Sequence, residues 1–397
     1  MELGLTFSIA LAVQIVLGFF APPIGLGERL VFFSDLWVFL WVPVFAFIFL
    51  REAPPSDRKR FVCETLVAGA LLGIVFLHGY GRPSLAERFT TFIVSAPKDD
   101  LFSFGREAII TFRFFVWFVG GLLVLRLPVH RKIVDRTLLV CVCLSILSLA
   151  AAKFSPGARA FLGDLYRYDP NVPNWADRAF GAFRSPIEGC VTLCLALLIL
   201  VQSPSESRAT KIAVGGGVIV GVALTKTLTA FVSAGVAVLY ATLSALSPKL
   251  ARHALWISSV GVASALVLAW NQPFFSQKRE TFLYRVRPWE VYWEYAISRI
   301  DRFLLGNGFH PHFSDNIYVF AFSRGGILLL GAALFAFGWW WKSRERDLTP
   351  FQKTIPIFFL ISGLTVDSLI IRPVVYVLIC AGVLALKSTH PSTETNI

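Results

Sequence analysis

The sequence predicts an all-α fold, a polytopic membrane protein with about 12 transmembrane helices of about 20 residues each. Three observations predict this class. The 397-residue chain is 56% hydrophobic and only 16% charged, against about 25% charged in soluble domains. Its mean hydropathy is +0.67. A water-soluble domain of this composition would expose large apolar patches, and a disordered chain would be far more polar.

Twelve mostly apolar stretches have roughly the length that a helix needs to cross the hydrocarbon core, about 20 residues. They are residues 3–22, 32–50, 61–79, 108–126, 133–152, 186–203, 211–225, 228–247, 254–271, 316–341, 354–371 and 373–387. The stretch 211–225 is short and glycine-rich, which predicts a broken or tilted helix near Lys226. Without an internal repeat, residues 1–397 are predicted to form a single transmembrane domain.

The short loops carry most of the basic residues, which sets the predicted orientation. The loops near 51–60, 126–136, 204–211, 248–253 and 342–353 hold 16 Lys and Arg against 6 Asp and Glu, or +10 of the net +12. Basic short loops face the cytoplasm, so both termini are predicted there. The net charge therefore indicates orientation in a membrane and not binding of nucleic acid. The long loops 80–107, 153–185 and 272–315 then lie outside.

Two arginines stand before a predicted helix start in the middle of the chain. Ser185 is a good N-cap, Pro186 suits the first helical position, and Glu188 falls where a capping box places its acid. The helix N-terminus presents free N–H groups and a positive dipole end to the outer face. Arg178 and Arg184 precede it and predict an anion site. Arginines reaching to lipid headgroups are the alternative interpretation.

Two further arginines lie in the last outer loop, 272–315. Pro288 keeps Arg287 extended, and residues two apart in an extended run project to the same side. Arg285 and Arg287 can therefore face one ligand. Apolar residues then recur at helical spacing with charged residues between them, which predicts an amphipathic helix on the outer membrane surface. These apolar residues are Trp289, Trp293, Ile297, Ile300 and Leu304.

The same loop ends in polar residues between a glycine-rich turn and the next span: His310, His312, Asp315 and Asn316. Asp315 is either a base or a helix N-cap. The two histidines lack further ligands at a recognisable spacing, so no metal site is predicted. Arg324 lies roughly 12 Å into the following span, where an arginine usually faces the bundle interior or a wet cavity. Asp367 is its predicted partner.

The candidate site residues thus gather at the predicted outer face, in three basic clusters from three separate stretches. A proton relay would instead scatter acids through the midplane of the bilayer. The arrangement suits a large anionic, lipid-linked substrate handled at the outer leaflet. Arginine is the appropriate residue because its planar guanidinium binds phosphate through two hydrogen bonds.

These elements, in this order, resemble the O-antigen polymerase/ligase family, polytopic inner-membrane enzymes with a large periplasmic loop late in the chain. Arg178-x-x-Gly181 with Pro186 is similar to the arginine–glycine–proline pattern at the start of a mid-chain span. The later similarities are a loop arginine followed by tryptophan, here Arg285 or Arg287 with Trp289, and the segment that opens the next span, here Asp315-Asn316-x-Tyr318 with Gly326. The resemblance covers about half of the chain.

Two positions depart from the family pattern. Ligases of lipopolysaccharide commonly have His directly before the Asn, where this chain has Asp315, and His310 and His312 stand nearby. This departure favours a polymerase over a ligase. Family members often have Ser-Arg in the span after the entry helix, where this chain has Thr225-Lys226. Lys226 is the candidate for the role of that arginine.

The resemblance implies a glycosyltransferase of lipopolysaccharide or surface polysaccharide biosynthesis, acting at the periplasmic face of the bacterial inner membrane. The donor would be a glycan on undecaprenyl diphosphate. The acceptor would be a hydroxyl of another lipid-linked glycan for a polymerase, or of lipid A core for an O-antigen ligase. A chain-length regulator protein is a further partner that the resemblance implies.

The implied mechanism needs neither a metal nor another cofactor, because cationic side chains would stabilise the leaving diphosphate. The acceptor proton would pass to Asp315, His312 or His310. The residues expected to bind substrate are Arg178, Arg184, Arg285, Arg287, Asn316, Arg324 and Lys226. A lipid-linked oligosaccharide flippase is the alternative from another class. It would also need a cationic cavity, but repeated halves and broken midplane helices are typical of transporters.

Overall fold

The computed structural model describes residues 3–26, 29–80, 104–166, 178–183, 185–251, 253–269, 296–306, 316–344, 347–363 and 373–387, with positions 272, 289, 293 and 294. Nearly all of this backbone is helical. The helices are α1 (Leu3–Phe20), α2 (Phe33–Glu52), α3 (Pro55–Tyr80), α4 (Phe104–Arg126), α5 (Arg131–Phe154), α6 (Pro156–Tyr166), α7 (Pro186–Val201), α8 (Arg208–Thr225), α9 (Leu228–Leu246), α10 (Pro248–Ala251), α11 (Ala254–Ala269), α12 (Ile300–Leu305), α13 (Ile317–Arg344), α14 (Thr354–Ser362) and α15 (Pro373–Lys387).

A helix is present at the position of every stretch that the sequence predicts to cross the membrane. Among the described residues, five helical segments are long and apolar enough to cross: Leu3–Phe20, Phe33–Glu52, Arg131–Phe154, Arg208–Thr225 and Gly325–Ser343 within α13. Apolar helices also cover Pro186–Val201 and Val232–Leu246, which are shorter. The protein is therefore an all-α membrane protein, as predicted, and the number of twelve crossings stays a prediction.

A short β-hairpin between α1 and α2 is an addition to the predicted helices. Strand β1 (Pro23–Leu26) pairs antiparallel with β2 (Arg29–Phe32), with Leu26 opposite Arg29. In the sequence only Gly27 and Glu28 separate the strands. A two-residue connection that begins with glycine is typical of tight hairpins. The predicted spans 3–22 and 32–50 leave these residues in the loop between them.

Contacts between helix ends sort the ends into two sets. In one set, Lys387 Nζ at the end of α15 donates a hydrogen bond to Leu127 O, just after α4, at 3.3 Å. In the other set, the Tyr166 hydroxyl at the end of α6 donates to Phe20 O at the end of α1, at 2.7 Å. If each predicted span crosses the membrane in the direction opposite to the span before it, the ends of α4 and α15 also fall on one side, and the ends of α1 and α6 on the other. The side of the membrane that each set faces stays a prediction.

Helix α7 is the central helix of the described bundle. Thirteen of its 16 residues are buried, and it packs against α5, α8, α9, α14 and α15. Helix α13 is the opposite case, because only 11% of its apolar segment Gly325–Ser343 is buried. The N-terminus of α7 therefore belongs to a helix that is almost entirely buried in the described part of the chain.

Helix α13 is interrupted at Gly326, which has φ 65° and ψ −165°. This backbone conformation is essentially restricted to glycine. A Cβ at this position would also clash with Leu304 O, at the end of α12. Both the conformation and the close approach require glycine. Residues 317–325 therefore form a separate helical section, and Arg324 lies near its end.

Replacing Gly326 with alanine is expected to destabilise the protein by more than the 1–3 kcal/mol or so that the strained backbone alone costs, because α12 must also move. Gly331→Ala is the matched control in the same helix, where a Cβ would meet nothing within 4 Å. The control should be neutral or slightly stabilising. Thermal unfolding in detergent measures both variants, and equal melting temperatures would contradict the close approach of α12 to Gly326.

The predicted amphipathic helix over 289–304 is not continuous, which corrects the sequence analysis. Arg299 is extended, with φ −151° and ψ 137°, and α12 begins only at Ile300. Four of the five apolar side chains predicted to face the membrane are nevertheless exposed in the described structure. Their exposed fractions are 53% for Trp293, 55% for Ile297, 79% for Ile300 and 39% for Leu304.

Aromatic packing gives the physical reason for the interruption at Arg299. The Trp293 and Phe303 rings lie 5.9 and 5.8 Å from the ring of Phe322 in α13. Aromatic pairs at such separations are favourable beyond the area that they bury. The extended residue between the two rings lets both of them contact Phe322. Packing on α13 thus outweighs the helical periodicity of the segment.

Candidate substrate site at the start of α7

The N-terminus of α7 has the cap that the sequence predicts. Ser185 is extended, its Oγ accepts a hydrogen bond from Glu188 N at 3.1 Å, and Pro186 opens the helix. Glu188 lies in the first turn and is 4% exposed. A carboxylate in the first turn interacts favourably with the positive end of the helix dipole. The predicted helix start is confirmed, and it fixes the backbone that follows Arg178.

Arg178, predicted to bind an anion, is buried and bonded to the C-terminal end of α8. Its Nε donates to Thr225 O at 2.8 Å. Its Nη2 donates to Thr227 Oγ1 at 2.6 Å and to Lys226 O at 3.3 Å. A cation at the last carbonyls of a helix is favoured by the helix dipole. Two of the three guanidinium nitrogens therefore hold a helix end.

Lys226 lies at the break between α8 and α9. Its φ of 50° and ψ of 35° are left-handed, and among the described residues it is the one residue other than glycine with positive φ. Its side chain is exposed. Ala179 N also donates to Leu224 O at 3.0 Å, so the backbone after Arg178 is joined to the end of α8. The structure thus brings Arg178 and Lys226 together across 48 positions of sequence.

The second turn of α7 contacts the same break. Cys190 Sγ donates a weak hydrogen bond to Thr227 O at 3.7 Å. Both residues are buried. The capped start of α7, Arg178 and Lys226 therefore belong to one cluster, and we call it the α7–α8 cluster.

Gly181 explains why the motif Arg178-x-x-Gly181 contains a glycine. Its φ is +55°, and a Cβ there would lie 2.6 Å from Ser148 Oγ and 2.9 Å from Leu149 N. Ser148 Oγ accepts a hydrogen bond from Ala182 N at 3.0 Å. A side chain at position 181 would push the segment away from α5. Glycine therefore sets the position from which Arg178 reaches α8.

Helix α6 is a part of the cluster's surroundings that the sequence analysis missed. The Arg159 guanidinium of α6 lies 5.7 Å from the centre of the Phe180 ring, so α6 covers the segment 178–183. The Tyr166 hydroxyl anchors the end of α6 on Phe20 O. Burial raises the pKa of the Tyr166 hydroxyl further above neutrality. The signal in the sequence is the amphipathic spacing over 156–166, inside a predicted loop.

Asn316 is the N-cap of α13. Its Oδ1 accepts hydrogen bonds from Tyr318 N at 2.8 Å and Val319 N at 3.1 Å, and the residue is 3% exposed. The sequence left Asp315 as either a cap or a base, and the cap position belongs to Asn316. The side-chain oxygen of Asn316, predicted to bind substrate, instead supports the start of a helix.

Most of the other predicted site residues fall outside the residues that the structure describes. These are Arg184, Arg285, Arg287, His310, His312, Asp315 and Asp367. Arg324 lies in the first section of α13, and its side chain is not among those described. In the described ranges, no group of three or more His, Cys, Asp or Glu could hold a metal ion. The roles predicted for these residues stay predictions.

An ion pair between α2 and α4 was not predicted. Arg113 Nη1 lies 3.6 Å from Asp35 Oδ2, and the two side chains are 14% and 12% exposed. The guanidinium also lies 4.7 Å from the centre of the Trp117 ring, in a cation–π contact. The signal in the sequence is an arginine inside the apolar stretch 108–126, away from its ends, and one aspartate in 32–50. Their spacing does not reveal that they face each other.

The resemblance to a known family rests on the short sequence motifs described above. No protein-family model matches the chain, and no curated protein sequence is significantly similar to it. Function is therefore inferred from the site residues and their chemistry.

Proposed function

We propose that the protein transfers a glycan from undecaprenyl diphosphate to a hydroxyl of a second lipid-linked glycan, as a polymerase of O-antigen or another surface polysaccharide. The observation that supports the proposal is the α7–α8 cluster, where Arg178, Lys226 and the N-terminus of α7 meet at one end of the bundle. The guanidinium of Arg178 and the ammonium group of Lys226 place positive charge there, which favours a diphosphate. A diphosphate leaving group needs this stabilisation as the glycosidic bond breaks.

In the proposed reaction, the acceptor hydroxyl attacks the anomeric carbon of the donor. The bond between that carbon and the diphosphate oxygen breaks, and undecaprenyl diphosphate leaves with the electron pair. The hydroxyl proton passes to a base, for which Asp315 is proposed, with His312 and His310 as alternatives. Arg184, Arg285, Arg287 and Arg324 are proposed to add positive charge around the donor.

Turnover by the purified protein with lipid-linked repeats alone tests the proposal. Longer glycans are expected from a polymerase. A product that forms only when lipid A core is added would assign the protein as an O-antigen ligase instead. Lys249→Ala, in the predicted cytoplasmic loop 248–253, is the control and should leave turnover unchanged. Absence of product with either acceptor would contradict glycosyl transfer.

A flippase for lipid-linked glycans is the second candidate, and the interruption of α13 at Gly326 favours it. Broken helices are typical of transporters, which use them to bind substrate near the midplane. Proteoliposomes with a labelled lipid-linked repeat separate the two functions. Movement of the label between leaflets without any lengthened glycan would favour transport over transfer.

The proposed orientation predicts that the loops 80–107, 153–185 and 272–315 face the periplasm. Cysteines introduced at Ser103, Asn171 and Ser276 should react with an impermeant maleimide added outside. Lys249→Cys is the control and should react only after the membrane is permeabilised. Labelling of Ser276→Cys only after permeabilisation would place the last loop in the cytoplasm, away from both proposed substrates, and would contradict the proposed function.

Activity is expected to survive EDTA, because arginine and lysine supply the positive charge in the proposed mechanism. The measurement is the initial rate of glycan lengthening with and without the chelator. A rate lost in EDTA and restored by one divalent cation would contradict metal independence. It would instead point to His310, His312 and Asp315 as ligands.

A further inference from the structure

We infer that Arg178 is a positioning residue, which holds the break between α8 and α9 so that Lys226 contacts the anionic group of the substrate. The inference rests on the proposed function for the identity of that group, a diphosphate. It changes the expectation from the sequence, in which Arg178 and Lys226 both bind the substrate directly.

The first step is the set of bonds that Arg178 already makes. Its Nε and Nη2 donate to Thr225 O, Lys226 O and Thr227 Oγ1, and the residue is only 8% exposed. A guanidinium binds phosphate best when two of its N–H groups point at the same phosphate. Here those groups point at the end of a helix. Arg178 therefore acts on the backbone around Lys226.

The second step is the conformation of Lys226. The left-handed conformation is unfavourable for a residue with a side chain. Glycine is the usual residue just past a helix end because it avoids this cost. Strained residues of this kind persist where the surrounding structure fixes them, and they cluster at functional sites. An exposed lysine in a position that suits glycine indicates that the ammonium group is needed there.

The third step is that both neighbours of Lys226 are fixed. Thr225 Oγ1 donates to Val222 O at 2.7 Å, and Thr227 Oγ1 donates to Thr225 O at 3.3 Å. Thr225 and Thr227 are 0% and 4% exposed. Arg178 bonds to both of them and to the carbonyl between. The backbone therefore presents the Lys226 side chain outward from a rigid support.

A set of Lys226 variants separates the charge from the backbone conformation. Lys226→Gly should unfold at the same temperature or higher, because glycine relieves the strain. Both Lys226→Gly and Lys226→Asn, which also tolerates this conformation, should lose about ten- to a hundredfold in binding of inorganic pyrophosphate, the loss of one charge-assisted hydrogen bond. Lys226→Arg should retain most of the affinity. Pyrophosphate affinity is measured by the shift in melting temperature as its concentration rises.

The double-mutant cycle with Arg178→Gln tests the positioning role. Arg178→Gln should weaken pyrophosphate binding in the wild-type background and have little further effect in the Lys226→Asn background, because it acts through Lys226. Additive losses would make Arg178 a direct ligand and overturn the inference. Equal pyrophosphate affinity of Lys226→Asn and wild type would overturn it as well. That result is expected if Lys226 contacts lipid headgroups and does not bind the anion. Arg178→Lys, which can still donate to the helix end, should recover part of the affinity.

The outcome for the inference is separable from that for the proposed function. Pyrophosphate binding that follows the predicted pattern, without lengthening of lipid-linked glycans, would support Lys226 as the anion ligand and contradict the polymerase. Turnover together with additive losses in the cycle would support the polymerase and contradict the positioning role of Arg178.

Discussion

Asp315→Asn is expected to lower the rate of glycan transfer by roughly 10²–10⁴, the contribution of a general base. The substitution removes the ability to accept a proton and changes the side chain little in size. Because the N-cap of α13 is Asn316, the loss of the Asp315 carboxylate does not remove the helix cap. The rate is measured in a single turnover with bound donor, and donor affinity and melting temperature should match those of the wild type.

The chain offers a matched control for this prediction at the next residue. Asn316→Asp should keep the cap, because Asp and Asn are equally good N-caps, and it should keep most of the rate. A variant Asp315→Asn with wild-type rate would exclude Asp315 as the base and transfer the test to His312→Ala. Full rates in both Asp315→Asn and His312→Ala would leave stabilisation of the leaving diphosphate as the main catalytic effect.

Arg113→Leu is expected to destabilise the fold by about 3–5 kcal/mol, the typical cost of removing one member of a buried ion pair. The substitution leaves the Asp35 carboxylate without the cation 3.6 Å away. It also removes the contact of the guanidinium with the Trp117 ring. The free energy of unfolding in mixed micelles measures the loss.

The double variant Arg113→Leu with Asp35→Leu isolates the pair. Apolar replacement of both members is often neutral, so the double variant should be more stable than Arg113→Leu alone. Losses that simply add in the double variant would show that the two charges do not interact. Arg208→Leu, at an exposed position at the start of α8, controls for the removal of a charge as such and should change stability little.

Local chemistry explains which features could be predicted from the sequence. Every predicted apolar stretch has a helix, because backbone groups in lipid must be satisfied within their own segment. The start of α7 follows from Ser185, Pro186 and Glu188, which lie within four positions of one another. Gly181 belongs to the motif Arg178-x-x-Gly181, and its positive φ is a conformation that favours glycine.

Contacts between distant parts of the chain account for what the sequence did not predict. Arg178 lies 47–49 positions from its acceptors at the end of α8. An arginine before a helix start predicted an anion site, but the hydrogen bonds of this arginine go to the end of another helix. Asp35 and Arg113 are separated by whole helices. The apolar residues around Arg299 recur at helical spacing, but the helix is interrupted at Arg299 because the rings of Trp293 and Phe303 both pack on α13.

The interruption at Gly326 has a consequence for how the protein responds to its lipid surroundings. The apolar segment Gly325–Ser343 touches few protein neighbours, since 11% of it is buried, so its tilt follows the thickness of the bilayer. A continuous helix would carry each change of tilt to the section 317–325. With the backbone interrupted at Gly326 and seated on Leu304, that section keeps its place while the rest of α13 adjusts. The position of Arg324 therefore depends little on the acyl-chain composition of the membrane, which sets the bilayer thickness.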